Sequence, residues 1–146
     1  MEKNYKRCKP VYFTMMTIDQ LKELSRKNKI SDGVIFREYL QILFLSIFYS
    51  LNQSERIFFK GGTAVHLIYK APRFSEDLDF TVELNEKDFL ALLNTVFEKI
   101  SLQEHVDFKE RKTIAGKRFL MTSHPSILPY KTFVNLDFSF REKALQ

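Results

Sequence analysis

The sequence predicts a single α/β (α+β) domain, and three observations carry that expectation. Apolar residues recur at helical spacing in three stretches, they alternate strictly with polar residues in two others, and a β-prone run passes through paired glycines into a helix-forming segment. The composition agrees. A chain of 146 residues, 45% of them hydrophobic, is enough for one ordinary core, and 15 phenylalanines with no tryptophan supply much of it. Four glycines and four prolines leave little room for linkers. The expected organisation is one domain over 1–146, in which 1–16 is a flexible tail, 17–55 forms amino-terminal helices and 56–140 is a sheet core holding the site.

Thr17, followed three residues later by Gln20, has the form of a capping box, and Ile18, Leu21 and Leu24 continue it as a helix over about 17–28. A longer helix over about 33–52 presents Ile35, Tyr39, Ile42, Leu43, Ser46 and Ile47 along one side. The run RIFFK (56–60) reads as a strand that enters Gly61 and Gly62, and a short helix then opens at Thr63. In DLDFTVEL (77–84), Asp77, Asp79, Thr81 and Glu83 share one strand face. Asn85 caps a helix through about 100, whose apolar stripe is Phe89, Leu92, Leu93, Val96 and Ile100. Strands over 105–113 and 117–123 flank Gly116. A last strand over 131–140 sets Phe133, Asn135, Asp137 and Ser139 against Val134, Leu136, Phe138 and Phe140. Its NLDFSF echoes the earlier DLDFTV.

Several function classes are excluded at this stage. One cysteine, Cys8, rules out a disulfide framework within the chain, and no zinc-ligand spacing is present; a reducing cytoplasm fits best. The basic start is not followed by the apolar core of a secretory signal. The most apolar stretch, 39–51, is too short to span a bilayer and reads as a buried helix, so no membrane partner is expected. A formal charge of +5 mildly favours a polyanionic partner.

The glycine pair and the two aspartates carry the chemistry. Glycines between a strand and a helix permit a sharp turn and close approach of a ligand, and the helix start that follows offers unpaired N–H groups to a phosphate. Thr63 adds a hydroxyl at the mouth of that turn, with Lys60, Lys70 and Arg73 as candidate charge partners. Asp77 and Asp79 on one strand face would repel each other in a dry site unless a cation sat between them, which points to a hard metal, Mg2+ first and Mn2+ as its substitute. Asp137 is the candidate third carboxylate. Three carboxylates from two strands, with nucleotide phosphates, could hold two ions.

The composite KGGTAVHLIYKAPRFSEDLDF (60–80) resembles the signature of the AbiEii-like nucleotidyltransferases, toxins of type IV toxin–antitoxin pairs within the DNA polymerase β-like superfamily. In that family a G-G-[TS] turn precedes an R-x-S-x-D-x-D strand, matched here by Gly61, Gly62 and Thr63 and then by Arg73, Ser75, Asp77 and Asp79. The resemblance implies a nucleotidyltransferase-type mixed β-sheet flanked by helices, with the family's carboxy-terminal helical region absent from this chain. It also implies metal binding by Asp77 and Asp79, with Asp137 at the third acidic position. Triphosphate contacts would come from Gly61, Gly62, Thr63, Arg73 and Ser75. Lys117, beside the Gly116 turn, is the candidate for a phosphate contact and for the family's catalytic lysine. The implied reaction transfers a nucleoside monophosphate from an NTP to RNA, in relatives the 3′ end of tRNA, with a cognate antitoxin as partner.

Blander readings stand beside these. The glycines alone could be a tight turn, and a lone D-x-D could be a solvated edge. The cluster KERKTIAGKR (109–118) reads first as a solvated hairpin and second as an RNA-backbone contact. His66, His105 and His124 lack ligand spacing. The competing function is a catalytically reduced module of the same fold that binds a protein or RNA.

Overall fold

A computed structural model describes residues 16–69 and 76–140 of the chain. The elements in order are α1 (Ile18–Asn28), α2 (Asp32–Phe48), a 3-10 turn (Asn52–Arg56), β1 (Ile57–Lys60), α3 (Gly61–Tyr69), β2 (Asp77–Val82), α4 (Glu86–Ser101), β3 (Val106–Arg111), β4 (Lys117–Ser123) and β5 (Thr132–Phe140). Apart from Met16, the segment expected to be a tail lies outside the described residues.

Local chemistry sets the helix ends. The capping box forms: the Gln20 backbone N–H donates to Thr17 Oγ1 at 3.2 Å, and the Thr17 N–H donates to Gln20 Oε1 at 2.9 Å. α1 stops at Lys29, which adopts the left-handed conformation with φ 55°. Asn85 caps α4 by accepting from the Asp88 N–H at 2.9 Å.

The strands make one mixed sheet in the order β1-β2-β5-β4-β3. Every neighbouring pair is antiparallel except β2 and β5, which run parallel. A parallel pair cannot be joined by a hairpin, and here α4, β3 and β4 provide the crossover. The two look-alike segments are the ones that pair: Asp77 lies opposite Asn135, Leu78 opposite Leu136, Asp79 opposite Asp137 and Phe80 opposite Phe138. Their matching alternation keeps apolar side chains on one face and polar ones on the other across both strands.

The apolar face is covered by α2 and α4. Phe44 and Phe48 of α2 lie 6.1 and 5.3 Å, centroid to centroid, from Phe80. Phe80 stacks on Phe138 at 5.0 Å, and Phe89 of α4 meets Phe138 edge-on at 4.7 Å. Further along, Phe97 of α4 stacks on Phe108 of β3 at 3.7 Å. Phenylalanine therefore forms a continuous layer between helices and sheet.

One expectation is corrected. The buried side of α2 holds Phe36, Leu40, Leu43, Phe44, Ile47 and Phe48, whereas Ile42 and Ser46, placed on the inward stripe from the sequence, are exposed. This helix is apolar over most of its circumference, so its periodicity does not single out a face. It also ends at Phe48 and gives way to the 3-10 turn.

Candidate active site

Four charged residues line up across four strands on the polar face. Lys60 of β1 is in register with Asp79 of β2, Asp79 with Asp137 of β5, and Asp137 with Arg118 of β4. In a parallel row further along β2 and β5, Asp77 faces Asn135, whose Nδ2 donates to Asp77 Oδ1 at 3.0 Å. The sheet thus gathers the three predicted carboxylates, separated by up to 60 positions in the chain (77 to 137), on one half-buried surface.

The glycine turn abuts the middle of this row. Gly61 has φ +88°, which L side chains rarely adopt, and a Cβ placed on it would come within 2.6 Å of Asp79 Oδ2. The turn and the carboxylate therefore approach as closely as the backbone allows. The helix opens at Gly61 itself, two residues before the expected start. Thr63 departs from expectation. It is buried, and its hydroxyl donates to the Asp77 carbonyl, so it pins α3 to β2 and does not stand at the mouth of the turn.

The electrostatics of Asp79 reflect its neighbours. Burial, and then the charges of Asp137 and Asp77, raise its pKa above the ordinary 3.8, against a smaller pull from Lys60 and Arg118. Asp137 is held by Arg118, whose Nε donates to Oδ1 and whose Nη2 donates to Oδ2 at 3.1 Å. Among the described residues no three acidic, histidine or cysteine side chains close into a metal-holding group. The donor set nonetheless suits a hard divalent cation: it is all oxygen, it sits on one face, and its central member is repelled by two others more strongly than Lys60 and Arg118 offset.

Lys117 is corrected. It is in register with Phe138, so it projects from the helix-covered face, where it pairs with Glu110 at 3.1 Å and Glu86 at 3.4 Å. The β4 cation on the carboxylate face is its neighbour Arg118: Phe119 and Met121 are the buried members of β4, so the alternation sends 118 the other way, although Leu120 beside them is equally apolar and blurs that signal in the sequence. Asn135 was visible on the same face as Asp137 but not as the partner of Asp77. Arg73 and Ser75, with Lys70, lie outside the described residues. Residues 109–118 form the β3–β4 hairpin with Gly116 at φ +76° and an exposed tip. His66 meets Glu38 at 3.3 Å and His124 meets Asp107 at 2.9 Å, both away from the row.

The chain matches the family profile described as nucleotidyl transferase AbiEii toxin, Type IV TA system, over residues 44–146. The crystal structure of JHP933 from Helicobacter pylori is similar in fold, with a TM-score of 0.59 at 22% identity, over 78% of this chain and 48% of that one. A second H. pylori structure, provisionally assigned as a nucleotidyltransferase, aligns with a TM-score of 0.57 at 23% identity, over 77% and 48%. The chain thus spans about half the length of these neighbours. No curated protein matches it.

Proposed function

Because the chain belongs to the AbiEii nucleotidyl transferase toxin family of type IV toxin–antitoxin systems, we propose that it is a magnesium-dependent nucleotidyltransferase. It moves a nucleoside monophosphate from an NTP to an RNA acceptor, the 3′ end of tRNA, and acts in the cytoplasm as the toxin opposed by a cognate antitoxin. The observation that carries this reading is the pairing of Asp79 with Asp137 beside a glycine turn that packs directly against the Asp79 carboxylate.

In this reading Asp77, Asp79 and Asp137 hold two magnesium ions, with manganese as a substitute. When bound, magnesium supplies charge neutralisation at the transferred and leaving phosphates. Gly61 and Gly62 let the triphosphate lie against the start of α3, and Arg73 and Ser75 assist, as their match to the family signature implies. Asp137 accepts the proton of the acceptor hydroxyl as its oxygen bonds to the α-phosphorus. The bond between the α-phosphorus and the bridging oxygen breaks, and pyrophosphate leaves.

A second reading, a reduced module that binds protein or RNA, draws on Arg118 and Asn135, which already engage two of the three carboxylates. Transfer of label from each of four α-labelled NTPs to total cellular RNA and to the protein itself, with magnesium and beside Asp79→Ala, separates the two. Label that requires both metal and Asp79 is expected. Absence of label from a folded chain, together with RNA or protein binding indifferent to Asp77, overturns the enzyme reading for this chain.

A further inference from the structure

The fork between Arg118 and Asp137 engages both carboxylate oxygens, the same atoms that the proposed function gives to a cation. The row Lys60, Asp79, Asp137, Arg118 sets two negative charges between two positive ones, so it is formally neutral without an ion. Carboxylates directly opposite on adjacent strands repel each other. Arg118 offsets that repulsion on the Asp137 side and fixes the side chain by two-point contact. The partners differ in freedom: the guanidinium side chain is 47% exposed and the carboxylate 20%. Arg118 can turn into solvent while Asp137 stays in place.

We propose that Arg118 is a positioning residue that holds Asp137 oriented by occupying the oxygens destined for the divalent cation, and yields them when the cation binds. The inference rests on Asp137 as a metal ligand. One positive partner replaces another on the same carboxylate, so the site need not rebuild its side chains when it loads. Arg118 and the cation are competitors, and each must weaken the other's hold on Asp137 by the same factor.

Mn2+ titration of the 146-residue chain without nucleotide, reading the free ion by electron paramagnetic resonance, tests this. The variants are Arg118→Gln, Arg118→Lys, Asp137→Asn and the double variant Arg118→Gln/Asp137→Asn, each checked for folding by circular dichroism. Arg118→Gln is expected to bind Mn2+ roughly 5-fold or more tightly than the parent, with Arg118→Lys between them. Asp137→Asn is expected to bind more weakly, and the double variant no more tightly than Asp137→Asn. Structural damage alone would lower affinity, so the rise is diagnostic. Unchanged or weaker binding by Arg118→Gln, with Asp137→Asn weakened, overturns the exchange and leaves Asp137 a ligand. Unchanged binding by Asp137→Asn removes Asp137 from the metal site and overturns both. If Arg118→Gln does not fold, Arg118→Lys, which keeps the charge but not the fork, gives the same reading.

Discussion

Gly61 and Asp79 meet because Gly61 has no side chain: its Cα lies where an added Cβ would reach within 2.6 Å of Oδ2, in a backbone conformation with φ +88°. Gly61→Ala therefore meets a strained backbone and a collision with the central carboxylate. The variant is expected to lose about 1–3 kcal/mol of stability and its metal-dependent NTP binding. Thermal unfolding with and without Mg-NTP measures both effects. Retained binding would show that the turn does not contact the triphosphate.

Asp79 is costly to the metal-free fold. Its pKa is raised above 3.8, so between that value and the raised one the native state binds more protons than the unfolded state. Stability from this group is greatest below the unfolded pKa and is lost as pH rises through the folded pKa. Asp79→Asn is expected to melt higher than the parent at pH 7 without metal, with the gain shrinking toward pH 4, and to lose metal-dependent NTP binding. Calorimetry across that pH range tests the sign. A lower melting temperature at pH 7 would mean that Asp79 is net stabilising.

Thr63 ties the glycine helix to the aspartate strand through its hydroxyl and the Asp77 carbonyl. Thr63→Val preserves shape but not the donor, and should cost about 1 kcal/mol in urea unfolding. Thr63→Ser should recover most of the loss. Equal stability for Val and parent would mean that the hydroxyl contributes no net stability.

Lys60 and Lys117 occupy opposite faces of the sheet. Lys60→Ala should weaken NTP binding, since Lys60 stands beside Asp79, whereas Lys117→Ala should leave binding at the parent level and lose only its pairs with Glu86 and Glu110. Isothermal titration of the two variants separates the faces. Impaired binding in Lys117→Ala alone would restore Lys117 to the site.

Where one periodicity dominated, the sequence was informative. The stripe of α4, from Phe89 through Leu92, Leu93 and Val96 to Ile100, is buried in full, and the alternations of β2 and β5 place the carboxylates on one face. α2 was illegible in facing because Ile42 is as apolar as the residues that bury. Lys117 was misplaced because a shift of one residue along a strand reverses its face. Which strands lie side by side is a non-local property. Only the echo between DLDFTV and NLDFSF hinted at it, and that hint did not include Arg118 closing on Asp137.

The central position of β5 has a consequence for the order in which the molecule is made. It is the last described strand, yet it is inserted between β2 and β4 and joins the two halves of the sheet. Until it arrives, β1–β2 and β3–β4 are separate ribbons, and Asp79 has no opposite number. The loop that must close for β2 and β5 to meet is long, so this step is slow relative to closure of the β3–β4 hairpin. On the ribosome, a nascent chain interrupted before residue 137 displays the glycine turn and the D-x-D strand but lacks the third carboxylate of the proposed site. The three carboxylates of the proposed site therefore cannot come together until nearly the whole of this sequence has been synthesised and folded.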